Sequence, residues 1–491
     1  MNTQRVEAGY LPGIGTDEVQ WHALAFERGG QRLQVAVPQL TAPQTHALAA
    51  RVRAAAAQQL RPLAVADIIA IIDRAMARLL DRADPYRQQA EALLPLVSGY
   101  DAEMVRQGLT GLFKTFRAPQ LRRFVAEDFA NPGVLDGFQP AAKGGAVQAF
   151  GPGLLLHSWA GNVPALSLWS MVCGLLVKAG SIGKLASAEP LFAGWFARLL
   201  AEVHPPWADC LAVVWWSGAG EGGGGCADAL YAEADTVIAY GGNAALDAIR
   251  QRLPVTTRFV PHGHRLGLGL VAAQALDSAK APALARLAAW DVMRYDQQGC
   301  YSPHVFYVER GGAVAPRAFA GYLAAELANL QQRFPRAGLD LQEAAAVARW
   351  QQAVEWQTLS APDSADMLLS GPDAQWAVAY ADSLRPLAPT ALQRTIQVVG
   401  VDALDSVLPA VAAQERFLQT AGVAAPPERL YHLAGLLGAA GVTRICAIGS
   451  MSTPEAGWHN DGRFNLLDLV RMVEIEQSAE AAAQPLASYA D

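Results

Sequence analysis

Residues 144–177 read GGAVQAFGPGLLLHSWAGNVPALSLWSMVCGLLV, and this stretch indicates the class of fold. It contains no Asp, Glu, Lys or Arg, and it is long enough to span a bilayer. Gly151-Pro-Gly153 and Gly161-Asn-Val-Pro164 nevertheless divide it into a strand, a turn and a helix of about a dozen residues. We therefore expect a buried strand, turn and helix rather than a membrane span.

The sequence that follows alternates apolar strands with amphipathic helices, which is typical of a parallel sheet with crossover helices. The predicted strands are residues 146–150 leading into 154–156, then 181–185, 211–216, 236–240, 257–260 and 268–272. The predicted helices between them are residues 164–177, 190–203 and 244–252. The first 140 residues open with a short strand-bearing segment, and four helices are predicted there, at 48–59, 65–81, 86–98 and 101–115.

A chain of 491 residues is too long for one ordinary core, so several domains are expected. Residues 1–273 are predicted to form an N-terminal helical region and a dinucleotide-binding domain. Residues 274–440 would form a catalytic α/β domain that carries Cys300. Residues 441–491 would return to the cofactor domain, with a strand at 442–447, a helix at 466–475 and a C-terminal tail.

Composition excludes several classes of partner and site. A net charge of −7 and no Lys/Arg stripe argue against nucleic acid binding. The five cysteines are odd in number and contain no CxxC pair, which predicts reduced thiols in the cytoplasm, no disulfide scaffold and no metal site. The N-terminus has no basic and apolar leader, so no secretion signal is predicted.

Cys300 is the strongest candidate for a catalytic residue. It lies in Tyr295-Asp-Gln-Gln-Gly-Cys-Tyr-Ser-Pro-His304, directly before the apolar run 305–308. Gly299 and Pro303 favour a turn at the mouth of a strand over a helix. A thiol on such a turn is a candidate nucleophile, because a thiolate needs partial exposure and nearby N–H dipoles. The alternative is a small buried residue, which most free cysteines are.

Two glycine clusters could hold a phosphate. The tract 217–225 follows an apolar strand, but its GxG pattern is a weak fingerprint because nearly every residue there is glycine. Strand 236–240 is followed by Gly241 and Gly242 and then by a helix. The unpaired N–H groups at that helix start make it the better candidate.

Several motifs in one order resemble the aldehyde dehydrogenase superfamily, and within it the long-chain acyl-CoA reductase family of bacterial luminescence operons (LuxC-type). The superfamily-like motifs are Phe150-Gly-Pro-Gly153, Ala160-Gly-Asn-Val-Pro164, Gly180-Ser-Ile-Gly-Lys-Leu-Ala-Ser187, Tyr240-Gly-Gly-Asn243 and Gln298-Gly-Cys300. Those typical of the branch are the turn at 160–164, Cys300-Tyr-Ser-Pro303, Arg394-Thr-Ile-Gln397 and His459-Asn-Asp-Gly462. The likeness covers roughly residues 90–475 and implies a Rossmann-type cofactor domain, an α/β catalytic domain and a small oligomerisation element.

The resemblance also implies roles for individual residues. Cys300 would attack an acyl thioester and form an acyl-enzyme. Asn162 would donate an N–H to the developing oxyanion, although Gly-Asn-Val-Pro is also good turn chemistry. Lys184 would reach the adenosine ribose or its phosphate, and Gly241 and Gly242 would lie by the pyrophosphate.

One departure from the superfamily bears on the direction of the reaction. Oxidising members use a glutamate base, whose place here falls near Pro261-His-Gly-His264, and no carboxylate occurs between Asp247 and Asp277. An oxidiser must activate water to release its acyl-enzyme, so the sequence favours a reductase. His262 or His264 is a candidate acid or base, with a structural or solvated histidine as the alternative.

The cofactor prediction is NADPH. NAD selectivity usually depends on a carboxylate at the ribose 2′-OH. Ser187 stands three residues after Lys184, and Glu189 lies two further on. The family's glutamate at the nicotinamide ribose has no clear counterpart around residues 394–396.

The sequence thus predicts NADPH-dependent reduction of an acyl thioester, fatty acyl-CoA or an acyl group from a partner synthetase, to the aldehyde. The alternatives are an NAD(P)-dependent aldehyde oxidiser and an acyl-transfer subunit without redox chemistry. The resemblance also implies a homo-oligomer.

Overall fold

The computed structural model describes residues 3–218, 224–360 and 364–488. The chain opens with a three-stranded sheet of order β1-β3-β2, formed by β1 (Thr3–Glu7), β2 (Gln20–Arg28) and β3 (Gln31–Gln39). Five helices follow: α1 (Ala42–Gln59), α2 (Val65–Leu80), α3 (Pro85–Ser98), α4 (Ala102–Thr115) and α5 (Ala118–Asp128). The four predicted helices are confirmed, and α5 was not predicted.

Two short strands then lead into a parallel sheet of order β10-β9-β6-β7-β8. The strands are β4 (Gln139–Pro140), β5 (Ala146–Phe150), β6 (Leu154–Ser158), β7 (Gly180–Lys184), β8 (Leu211–Val214), β9 (Thr236–Tyr240) and β10 (Arg258–His262). Its helices are α6 (Ser167–Leu176), α7 (Phe192–Val203), α8 (Gly224–Glu233) and α9 (Asn243–Arg250). The strand order reverses between β6 and β9, and in such sheets ligands bind at the carboxyl ends of the strands beside that reversal.

A second sheet of seven strands has the order β13-β14-β15-β12-β11-β16-β17 and is parallel except for the β13–β14 pair. Its strands are β11 (Leu266–Val271), β12 (Pro303–Glu309), β13 (Met367–Ser370), β14 (Ala377–Ala381), β15 (Thr395–Val401), β16 (Leu418–Ala424) and β17 (Arg444–Ala447). Its helices are α10 (Lys280–Met293), α11 (Pro316–Arg333), α12 (Leu341–Ser360), α13 (Leu408–Val411) and α14 (Pro427–Ala439). Cys300 lies in the connection between α10 and β12.

The predicted helix at 466–475 is wrong. The segment contains β18 (Arg471–Ile475), which pairs antiparallel with β5 and forms a sheet of order β18-β5-β4, and α15 (Gln477–Ala483) follows it. The apolar residues of this segment fit a helix as well as a strand. Residues 471–475 adopt the strand conformation because the open edge of β5, from a distant part of the chain, supplies backbone hydrogen-bond partners.

Two other boundaries differ from the sequence prediction. β5 and β6 belong to different sheets, because the turn at Gly151-Pro-Gly153 separates them. β11, which the sequence placed with residues 1–273, pairs with β12 in the seven-stranded sheet. The division of the chain into domains stays a prediction.

Residues 144–177 fold as the expected strand, turn and helix. β6 and α6 are buried, and α6 begins at Ser167 rather than at residue 164 because Ala165 adopts a left-handed conformation with φ of 61°. None of the helices in the described part of the chain has the length and apolar character that crossing a membrane requires.

Candidate active site

A cavity of 910 Å³ lies where the two main sheets meet. Its walls bring together six of the residues that the sequence singled out: Asn162, Gly241, Gly242, His262, His264 and Cys300. Asn162 follows β6, and Gly241 follows β9, so the reversal of strand order between these two strands explains why the two residues meet. Lys184 and Ser187 are not among the residues that line it.

A strained turn presents Cys300. Tyr295, Asp296 and Gln297 all adopt left-handed conformations, with φ of 49°, 48° and 69°. Such a run of non-glycine residues is costly and persists only where its surroundings hold it. The Gln297 side-chain amide donates to the carbonyl oxygens of Pro303 (2.6 Å) and Thr395 (2.9 Å), which ties the turn to β12 and β15.

A buried ion pair holds the same turn from the other side. Arg394 Nε donates to Asp296 Oδ1 at 2.7 Å, and both side chains are excluded from solvent. Residues 392–394 are also left-handed, with φ of 58°, 54° and 67°. Arg394 therefore supports the turn that precedes Cys300, although the sequence identified this arginine only as part of a family motif. The residues around Asp296 contain no local pattern that would have predicted Asp296 as its partner.

Asn162 lies beside the segment that leads into Cys300. Its Nδ2 donates to the backbone carbonyl oxygen of Gln298 at 2.7 Å, and the Asn162 backbone carbonyl oxygen accepts from the Tyr100 hydroxyl at 2.7 Å. An amide nitrogen carries two hydrogens, so one N–H remains for an oxyanion. The oxyanion role of Asn162 stays a prediction.

The Cys300 thiol is held in its protonated form. Burial raises its pKa to about 11, and the nearby Asp461 carboxylate acts in the same direction, while a hydrogen bond to the Gln419 side chain lowers it. A thiol with this pKa is almost entirely uncharged at neutral pH, whereas the thiolate is the nucleophile. The site therefore needs a group that accepts the proton.

Asp461 is the centre of a polar network in the cavity wall. It accepts hydrogen bonds from Arg265 Nε (2.7 Å) and Gln419 Nε2 (2.7 Å), and its Oδ2 lies 2.8 Å from His262 Nδ1. Burial raises the pKa of this carboxyl, but His262 and Arg265 outweigh it and hold the pKa at about 2. Sequence reasoning noticed the segment 459–462 as a motif but did not assign a role to Asp461.

Lys184 ends β7 and Ser187 follows three residues later, and neither is among the residues that line the cavity with Cys300. The Lys184 ammonium is 5.9 Å from the centre of the Trp216 ring, and burial lowers its pKa. Among the described residues no carboxylate forms an ion pair with it. The Ser187 hydroxyl accepts from Trp215 Nε1 at 3.1 Å.

Glu189 caps the start of α7. Its Oε1 accepts from the backbone N–H groups of Leu191 and Phe192 at the start of α7, both at 2.9 Å. The side chain is buried, and burial raises its pKa to about 7. Its Oε1 is therefore occupied as a helix cap, and the buried side chain is not available as a ribose ligand.

The start of α9 forms the other candidate cofactor contact. Gly242 is the residue before α9, and a Cβ placed on it would meet nothing within 4 Å. The N–H groups of the first turn of a helix have no partners within the helix, so they suit a phosphate that approaches this open backbone. The glycine tract at 217–225 lies largely outside the described residues.

One face of α4 forms part of the cavity wall. Gly108, Gly111, Leu112 and Thr115 line it at helical spacing. A Cβ on Gly108 would collide with the Tyr295 hydroxyl, whereas one on Gly111 would meet nothing within 4 Å. The aromatic residues that line the cavity with this face are Trp169, Tyr240, Tyr295, Tyr301 and Trp458.

Residues 60–472 match the family of acyl-CoA reductases (LuxC). The chain belongs to this family. Relatives in it include the long-chain acyl-protein thioester reductase of Photorhabdus laumondii, 25% identical over 70% of this chain and 67% of the relative. Long-chain acyl-protein thioester reductase 2 of Photobacterium leiognathi is 23% identical over 81% and 80%.

The fold of this LuxC-family chain is that of aldehyde dehydrogenases. The aldehyde dehydrogenase KauB from Pseudomonas aeruginosa superposes with a TM-score of 0.75 over 96% of both chains at 14% identity. The indole-3-acetaldehyde dehydrogenase AldA of P. syringae, solved with NAD+, superposes with a TM-score of 0.73 over 95% of this chain and 96% of that one at 14% identity. The predicted family and fold class are both confirmed.

Proposed function

We propose that the protein reduces a fatty acyl thioester to the aldehyde with NADPH, through an acyl-cysteine intermediate at Cys300. One observation carries this proposal. Cys300 follows the turn at residues 295–297, Asn162 hydrogen-bonds the adjacent Gln298, and both residues line one cavity with the start of α9. Membership of the LuxC family supports the substrate class. The names of the relatives support a long acyl chain and a thioester donor.

The chain's own residues supply the steps before hydride transfer. The Cys300 thiolate attacks the thioester carbonyl, and the carbonyl oxygen becomes negatively charged. The free N–H of Asn162 and the backbone N–H of Cys300 stabilise this oxyanion, a type of contact worth about 2.7–4 kcal/mol each. The leaving thiolate departs, and the acyl group stays on Cys300. Bound NADPH would supply the hydride that reduces this thioester.

The residues at the carboxyl ends of the first parallel sheet fit NADPH. Lys184 offers an ammonium with no carboxylate partner in the described part of the chain, and Ser187 offers an exposed hydroxyl. Glu189, the nearest acid in sequence, is occupied as a helix cap. No carboxylate of this segment would therefore repel a ribose 2′-phosphate, and Gly242 leaves room for the pyrophosphate.

Ser187→Glu is expected to weaken NADPH binding by about fivefold or more beyond its effect on NADH. The reason is that a carboxylate near a phosphate dianion costs about 1 kcal/mol or more at contact distance. Titration of both cofactors by fluorescence measures the two dissociation constants. Ser187→Gln adds the same bulk without charge and should not discriminate between them. Equal losses for NADPH and NADH in Ser187→Glu would place this segment away from the ribose.

Gly111→Leu is expected to shift activity toward shorter acyl chains. The new side chain would enter the cavity, and each displaced CH2 of the substrate loses about 0.8 kcal/mol of burial. If the cavity can no longer hold two CH2 groups of the acyl chain, kcat/KM for long acyl-CoAs falls by about tenfold, whereas kcat/KM for short acyl-CoAs is unaffected. Gly435→Leu, on an exposed face of α14 with open space, is the matched control. Unchanged chain-length preference would show that the acyl group lies elsewhere.

The acyl donor is proposed to be acyl-CoA or an acyl group carried by a partner synthetase, as the relatives' names as acyl-protein thioester reductases support. We also propose a homo-oligomer. β18 is an edge strand on which Met472 and Val473 are 42% and 38% exposed, and an exposed apolar edge favours pairing with another chain.

Intact-protein mass spectrometry after mixing with acyl-CoA tests the function. Without reduced cofactor, we expect a persistent acyl adduct on Cys300 that free CoA or NADPH removes. The sequence has no carboxylate between Asp247 and Asp277, where oxidising relatives carry their glutamate base, and this should lengthen the life of the adduct by roughly 10²–10⁴. NADPH oxidation with the same acyl-CoA should produce aldehyde. No adduct, or no NADPH oxidation, would contradict the proposal.

The His262–Asp461 pair supports a second candidate, the NAD(P)-dependent aldehyde oxidiser. An imidazole backed by a carboxylate can activate water as well as a glutamate can. In that case the adduct would vanish within a turnover, and free acid would accumulate. A subunit that only relays acyl groups would form the adduct but gain no thermal stability from NADPH.

A further inference from the structure

His262 and Asp461 form a hydrogen-bonded pair in the wall of the cavity that also contains Cys300. His262 Nδ1 lies 2.8 Å from the Asp461 carboxylate, and the two side chains are 14% and 3% exposed. A buried carboxylate that faces Nδ1 keeps the hydrogen on that nitrogen, so the lone pair resides on Nε2. The Tyr240 ring stacks on the imidazole at 4.7 Å between centroids and fixes its plane.

Gln419 connects this pair to the thiol. Its side chain donates to Asp461 Oδ1 and also hydrogen-bonds Cys300. Both His262 and Cys300 line the cavity. The titratable and charged groups around the imidazole are Tyr240, His264, Arg265, Cys300 and Asp461.

We propose that His262 carries the Cys300 proton to the departing thiol during acylation, and that Asp461 is the positioning residue that holds its tautomer and orientation. His262 Nε2 accepts the proton from Cys300 Sγ as sulfur attacks the thioester carbonyl. When the carbon–sulfur bond to the donor breaks, the imidazolium returns that proton to the leaving thiolate. The balance is acyl thioester plus Cys300 thiol giving acyl-Cys300 plus free thiol, with no net proton and no redox change.

Two features of the site support this assignment over a purely structural role. Asp461 keeps its negative charge because His262 and Arg265 hold its pKa at about 2. The Cys300 thiol, whose pKa is about 11, has little thiolate of its own at neutral pH. His264 also lines the cavity, but among the described residues no carboxylate is paired with it.

The test is the pH dependence of single-turnover acylation, followed by intact mass after mixing with acyl-CoA. His262→Gln retains a donor to Asp461 and is expected to acylate roughly 10²–10⁴ times more slowly at pH 7. Its rate should rise with pH well into the alkaline range, following the thiolate fraction of Cys300, whereas the wild-type rate levels off at lower pH. Asp461→Asn should show a smaller loss with the same change of profile.

His432→Gln is the matched control. His432 Nε2 lies 2.9 Å from Asp405 Oδ2, a contact of similar length, but both side chains are more than half exposed and neither lines the cavity. This variant should keep the wild-type pH profile. Added imidazole should restore part of the acylation in His262→Ala, which a merely structural role would not allow.

This inference rests on the proposed function for the identity of the leaving thiol, and a second probe separates the two. Alkylation of Cys300 by iodoacetamide needs no acyl donor and should slow in His262→Gln at pH 7. If alkylation is slower in His262→Gln but even the wild-type protein is not acylated by acyl-CoA, His262 accepts the Cys300 proton and the proposed acyl substrate is wrong. Wild-type acylation with an unchanged pH profile in His262→Gln would overturn the inference and leave the proposed function standing.

Discussion

Cys300→Ala should abolish aldehyde formation and leave NADPH binding nearly intact. Removal of a covalent nucleophile costs on the order of 10⁴–10⁶ in kcat, because the remaining oxyanion donors cannot replace the bond to the substrate. The thiol contributes little to cofactor affinity, since the candidate cofactor contacts lie on Lys184, Gly241 and Gly242. NADPH consumption with acyl-CoA and NADPH titration measure the two effects separately.

Cys446→Ala is the sharpest control for that experiment. Cys446 is also partly exposed, and burial raises its pKa to about 11 as well, but it lies on β17 and does not line the cavity. The described structure buries the other three cysteines, Cys173, Cys210 and Cys226. Their replacement should be kinetically mild. Turnover near the wild-type rate in Cys300→Ala would rule out covalent catalysis at this residue.

The largest effect on stability is expected from Arg394→Met. The substitution leaves the buried Asp296 carboxylate without its partner, which costs about 3–5 kcal/mol of the free energy of unfolding. The turn at residues 295–297 should also loosen, so kcat falls together with stability. Urea denaturation and steady-state kinetics measure the two losses.

Two controls isolate the unpaired charge as the cause. The double substitution Asp296→Asn with Arg394→Met removes both charges and should recover part of the lost stability. Arg32→Met breaks an exposed pair with Glu27, whose side chains are 52% and 59% exposed, and should cost at most about 1 kcal/mol. If Arg394→Met is no more costly than Arg32→Met, the buried pair does not support the cysteine turn.

Most of the fold and much of the candidate site could be predicted from sequence because both rest on local signals. The uncharged run 144–177, broken by Gly and Pro, predicted a strand, turn and helix, and the alternation after it predicted parallel sheets. The turn residues around Cys300 identified it as a candidate, whereas Asn162 became one only through the family resemblance. Glycines after a strand likewise pointed to Gly241 and Gly242. These features depend on residues within a few positions of one another, so the local sequence is enough to predict them.

Contacts between distant segments could only come from the tertiary structure. Residues 471–475 form a strand because β5 offers an open edge, and Arg394 pairs with Asp296 across 98 positions. No carboxylate occurs in the sequence between Asp247 and Asp277, yet Asp461, 199 positions from His262, supplies one to that histidine. Periodicity and residue spacing report only on the local structure of the chain. The long-range contacts depend on how whole sheets pack against one another. Because packing brings together residues at any separation in sequence, no local pattern predicts which residues will meet.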